Sequence, residues 1–181
     1  MYHSRIVYLF LTLFNTGHSG IQMVIGPVLK RMLGALERTV HPDGQIALLN
    51  DSAFGIYNTP EELFEYGVKL GVISLERGKQ SGPWALPDAG YYGCGGEDGA
   101  YIICDAGPLG PDYIPGHSHA DMLSFEMSLH GHRIIVDSGV HDYEWSKTRD
   151  YCRSTRAHNT VEIAGMDQAE MWGAFRVARR G

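Results

Sequence analysis

Hydrophobic and polar positions change rhythm once along this chain. Residues 2–14 form an apolar-rich run ended by polar and small residues at 15–20, which predicts one helix. Over residues 21–39, Val24, Val28, Leu29, Met32, Leu33 and Leu36 fall on helical spacing and predict a second. Pro27 within it predicts a kink or an early boundary, because proline lacks an amide donor and crowds the preceding turn. "HPDG" at 41–44 is a turn. "NTPEELFEYGVKLG" is the clearest helix. Thr59 suits its N-cap, Pro60 its first position, Glu61 and Glu62 its positive N-terminus, and Gly71 ends it.

After a Gly/Pro-rich connector, "RGKQSGPWALPDAG" at 77–90, the period shortens to that of strands. "GYYGC", "AYIICDAG", "LSFEMSL", "RIIVDSG" and "TVEIAG" are short runs separated by turns, the pattern of an antiparallel sandwich. The expected fold class is therefore α+β, with a boundary near Gly82 between helical residues 1–81 and strand-rich residues 82–181. The helical part is small for a domain of its own, and "FRVARRG" ends the sequence soon after the strands begin. This predicts a portion of a longer protein, incomplete at both ends.

Composition adds limits. With 181 residues, 44% hydrophobic and 20% charged, the chain is of ordinary globular type. A formal net charge of −6 speaks against a nucleic-acid partner. Residues 141–181 carry seven Lys/Arg against six Asp/Glu, so this part is where an anion would be faced. Cys94, Cys104 and Cys152 form no CxxC pair and predict neither a disulfide framework nor a thiolate metal site. "MYHSRIVYLFLTLFNTGHSG" loosely imitates a signal peptide, but its basic start is weak and no A-x-A follows, so a helix is the preferred reading. The run is also shorter than the ~20 apolar residues a membrane span needs.

Candidate chemistry concentrates in "GHSHADMLSFEMSLHGHRIIVDSG", residues 116–139. Leu123, Phe125, Met127 and Leu129 alternate as in a half-buried strand. A hairpin turning at 130–132 would return Asp137 to Ser124 or Glu126, near His119. His158, just before the "TVEI" run, is a third candidate. Two histidines and a carboxylate suit the first shell of Zn²⁺; hydrogen bonding of polar strand ends to loop backbone is the other reading. His130, His132 and His141 read as turn and surface residues. "HSHAD" also matches the H-x-H-x-D stretch of metallo-β-lactamase-like hydrolases. There Met122 replaces a further histidine, and the alternating strand–helix order of such a fold is absent.

The series "HSHADMLSFEM…HRIIVDSGVHDY…RDYCRSTRAHNTVEI…DQAEMWGAFRVARR" resembles the β-sandwich domain of the heparinase II/III family of polysaccharide lyases. "MYHSRIVYLF" resembles a helix of that family's (α/α) toroid, and "LERTVHPDGQIALLNDSAFG" the segment following it. The resemblance implies the last toroid helices followed by the start of the sandwich. It makes Tyr2 and His117 the catalytic pair, and His119, Asp137 and His158 the ligands of a structural zinc. Tyr151 lies where some alginate-cleaving relatives have a substrate-contacting tyrosine. Arg149, Arg153 and Arg156 are candidate contacts for carboxylate or sulfate, since guanidinium forks suit both. The family's asparagine that neutralises the uronate lies upstream of Met1.

The implied reaction is β-elimination on a uronic-acid polysaccharide of glycosaminoglycan or alginate type. The C5 proton is weakly acidic, so the neighbouring carboxylate must be neutralised while a tyrosine moves the proton. An anionic polysaccharide is the expected partner, with no transmembrane segment. A homodimer of the longer protein and a cell-envelope or periplasmic location are the family's implications. Two other functions stay open: a zinc-dependent hydrolase built on HxHxD, and a non-catalytic carbohydrate-binding sandwich fragment.

Overall fold

The computed structural model describes residues 2–74 and 81–180, the last by its backbone alone. Residues 77–80 of the expected connector lie outside that set. Three helices come first: α1 (Tyr2–Phe14), α2 (Ser19–Arg38) and α3 (Pro60–Lys69). α1 buries Val7 and Leu11, α2 buries Leu29, Leu33 and Leu36, and α3 adds Leu63 and Phe64 to the same cluster. In α1 and α2 these positions repeat every three or four residues, so each of the two turns one apolar stripe toward its neighbours. α2 runs through Pro27 without ending. α3 starts with a complete capping box: Glu62 N donates to Thr59 Oγ1, and Thr59 N donates to the Glu62 carboxylate at 2.8 Å. A closed toroid is not visible among the described residues.

Five strands then form one antiparallel meander in chain order: β1 (Gly82–Leu86), β2 (Tyr91–Gly95), β3 (Tyr101–Asp105), β4 (Phe125–Leu129) and β5 (His132–Ile135). β1 lies inside the stretch expected to be a connector. Trp84 decides this: its indole is buried across Gly93 of β2, where an added Cβ would approach the ring to 2.3 Å. Pro83 is tolerated because β1 is the sheet edge. A short helix α4 (Lys147–Arg153) and a separate two-stranded ribbon of β6 (Ala169–Trp172) and β7 (Arg176–Arg180) follow. The "TVEI" segment is not a strand; Ile163 makes only an isolated bridge to Met166. The architecture is thus mixed helix and antiparallel sheet, the α+β class.

β4 and β5 form the expected hairpin. Its turn, His130–Gly131, has φ of 51° and 80°, the two positive values of a type I′ turn that matches strand twist. Asp137 returns to Ser124, whose hydroxyl donates to its carboxylate at 3.1 Å, and its amide donates to Glu126 at 3.2 Å. The face of β4 that turns inward, however, is the polar one. Glu126 and Ser128 are fully buried, whereas Leu123 is 62% exposed and Leu129 39%. The reason is a buried polar junction with the helical part. His41 places Nδ1 2.7 Å from Ser128 Oγ and Nε2 2.9 Å from Glu126. Glu126 also accepts from Leu48 N and from Arg133, which reaches on to Asp43. Leu123, Ile134 and Val136 consequently stand exposed on the other face.

Candidate functional site

Four separate segments converge where the helices meet the sheet. Tyr2 opens α1, Asn50 and Asp51 lie between α2 and α3, His117 to Asp121 lie between β3 and β4, and α4 follows β5. Tyr2 Oη sits 3.2 Å from His117 Nδ1 although 115 residues separate them, and their ring centroids are 4.7 Å apart. Tyr143 Oη lies 3.1 Å from Tyr2 Oη. His117 is also flanked edge-on by Tyr143 and Phe175, so aromatic surface holds the imidazole on two sides. A cleft of about 600 Å³ adjoins this group, lined by Tyr2, Leu49, Asp51, Asp88, Asp105 and His117 among others.

Asp51 is the hub. Its carboxylate lies 2.8 Å from His117 Nδ1 and 2.7 Å from His119 Nε2, and it accepts two bonds from the Arg149 guanidinium. Burial by itself would raise its pKa. The hydrogen bonds from His119, Arg149 and His117 outweigh that and hold it at about 2. Asn50 completes the support. It occupies the left-handed region at φ 54°, which asparagine tolerates, and it donates to Asp105 while accepting from His119 N.

His119, Asp121 and His158 form a buried group whose potential ligand atoms lie within 4.8 Å of one another. Both imidazoles are oriented by a carboxylate: His119 Nε2 meets Asp51, and His158 Nδ1 meets Asp137 at 2.9 Å. Their other nitrogens, His119 Nδ1 and His158 Nε2, are buried without a hydrogen-bond partner. A carboxylate on one ring nitrogen and an available lone pair on the other is how histidine is prepared for a metal. Burial raises the Asp121 pKa to about 7, with Asp105 and Asp137 adding to it and His158 opposing. A divalent cation would reverse that preference. The donors are nitrogen and oxygen, a set that Zn²⁺ accepts, and the group is closed to solvent. Asp121 completes this group of three; Asp137 meets it through His158.

The expected polymer contacts lie elsewhere. Arg149 and Arg153 are 0% and 1% exposed. The Arg149 guanidinium is engaged by Asp51 and the Ala174 carbonyl. Arg153 donates to the carbonyls of Ser118, Gly173 and Arg176. Neither presents a fork to a polyanion; both fasten α4 to the loops around the site. Arg156 is exposed and pairs with Glu162 at 3.1 Å, and Tyr151 is exposed on α4. None of the four lines the cleft. His130 and His141 have exposed side chains, and His132 is exposed at the start of β5, as expected. Asp51, Asn50, Tyr143 and Phe175 carry no signal in the sequence that marks them as site residues, and Asp121 is marked there only by HxHxD. The short polar "ND" between two helices carried no period that could have marked it.

A search of curated proteins found no match. Among solved structures, the chain is similar to a mutant of the heparan sulfate lyase HepC from Pedobacter heparinus, with a TM-score of 0.77 and 19% identity, over 92% of this chain and 29% of that one. It is similar to a heparinase III gene product with a TM-score of 0.71 and 19% identity, over 93% and 29%. For another heparinase III structure the values are 0.72 and 18%, over 92% and 31%. The chain thus spans under a third of these structures, and at such identities the likeness establishes the fold. The family model described as "Heparinase II/III-like, C-terminal" matches residues 78–181, more than half of the sequence, and the chain belongs to that family.

Proposed function

We propose that this chain supplies part of the catalytic centre of a polysaccharide lyase that cleaves a uronic-acid polymer by β-elimination. The observation that carries this reading is the meeting of Tyr2 and His117, 3.2 Å apart beside a cleft. In the reaction, the Tyr2 oxygen takes the C5 proton and the released electron pair forms the C4–C5 double bond. The C4–oxygen bond breaks, and the leaving oxygen takes a proton back from Tyr2. To act as base the Tyr2 oxygen must first be deprotonated. In that form it can only accept, and His117 and Tyr143 are placed to donate to its negative charge until it takes the proton.

Zinc, when bound, would cross-link the loop of His119 to that of His158 and so fix His117 two residues away. Its carboxylate ligand is Asp137 by resemblance and Asp121 by proximity to both histidines. The same group favours a second reading, hydrolysis at a metal built on HxHxD. Its burial weighs against this, because a catalytic metal keeps a position open to substrate.

The test is a longer protein containing this chain, mixed with glycosaminoglycan and alginate polymers. Elimination creates an unsaturated product absorbing in the near ultraviolet. Tyr2→Phe should abolish it while the fold persists, since Tyr2 is 40% exposed. Chain cleavage without new absorbance would establish hydrolysis, and an intact polymer would establish binding alone. Retained elimination in Tyr2→Phe would remove Tyr2 from the mechanism.

A further inference from the structure

We infer that Asp51 is a positioning residue that sets the tautomers of two histidines at once, His117 beside the cleft and His119 in the metal-binding group. The roles of those histidines rest on the lyase reading; the geometry of Asp51 does not. A carboxylate only accepts hydrogen bonds. Each ring nitrogen facing it, His117 Nδ1 at 2.8 Å and His119 Nε2 at 2.7 Å, must therefore carry the proton. In neutral rings the lone pairs are then fixed: Nε2 on His117 and Nδ1 on His119. The second is the buried atom without a partner, the one a metal would take. On His117, the same Nδ1–H also lies 3.2 Å from Tyr2 Oη, so its single proton is shared between Asp51, the nearer acceptor, and the tyrosine, and the carboxylate governs the donor that Tyr2 meets. Arg149 grips both carboxylate oxygens, leaving Asp51 no rotation that would free either ring.

One residue from the loop between α2 and α3 thus joins the metal group to the proposed catalytic pair. Asp51→Asn keeps the shape but turns one acceptor oxygen into a donor. One of the two rings must then move its proton to the other nitrogen, losing either the metal lone pair of His119 or the His117 donor toward Tyr2.

The experiment is a long-range ¹H–¹⁵N correlation spectrum of the metal-free chain, labelled at histidine and recorded at alkaline pH. Wild type should show Nδ1–H for His117 and Nε2–H for His119. The opposite tautomer on either ring overturns the inference, and this result needs no variant to fold. In Asp51→Asn, one ring should switch tautomer. If it is His119, zinc affinity should fall by about 10–100-fold; if it is His117, kcat of the longer protein should fall with KM retained. Two unchanged rings in a folded variant would overturn the inference. Failure of the lyase reading would appear separately, as no unsaturated product from the longer wild-type protein with the tautomers as stated.

Discussion

Arg149→Met separates two accounts of the same arginine. If Arg149 served a polyanion, its loss would weaken binding and leave stability alone. The structure instead buries the guanidinium completely, with two bonds to Asp51 and two to the Ala174 carbonyl. Methionine fills similar volume, so the main loss is the charge opposite a buried carboxylate. Removing one partner of a buried ion pair costs about 3–5 kcal/mol, because the other is left uncompensated. His117 and His119 still donate to Asp51, which places the expected loss near the lower end, about 3 kcal/mol. For a domain of this size that lowers the melting temperature by roughly 6–12 °C. Arg156→Met is the control: its pair with Glu162 is exposed and worth about 0–1 kcal/mol. Thermal unfolding followed by circular dichroism, on the chain without polymer, measures both. Equal melting temperatures for wild type and Arg149→Met would refute the reasoning and return Arg149 to the list of polymer contacts.

Three further outcomes follow from the same geometry. Burial raises the Asp105 carboxyl to about 6 from 3.8, so the folded chain binds its proton more tightly than the unfolded chain. Stability should then fall as pH rises between those values, and urea titrations across the range should show Asp105→Asn flattening the fall. Gly139 has φ 58°, and a Cβ there would meet the Ser52 carbonyl oxygen at 2.3 Å. Gly139→Ala should cost more than about 1 kcal/mol in denaturant unfolding and loosen the loop after Asp137; an unchanged midpoint would contradict the contact. Elemental analysis should find about one zinc per wild-type chain and none in His119→Ala. Asp121→Asn and Asp137→Asn then identify the carboxylate ligand as the one whose loss removes the metal.

The local rules of helix and turn were readable without coordinates. Thr59, Pro60 and Glu62 specify the start of α3 through bonds made within four residues, so no distant partner could change them. The His130–Gly131 hairpin and the return of Asp137 to Ser124 also followed from strand period and turn position. The tertiary structure decided which face of β4 points inward. Alternation marks two faces but does not say which one meets His41 and Leu48, and here the polar one does. It likewise decided the fate of Arg149, because a guanidinium reads the same on a surface as beside a buried carboxylate 98 residues away. Asp51 was invisible for the same reason. Its role comes from three partners supplied by distant segments, and only their convergence turns an ordinary loop aspartate into the hub of the site.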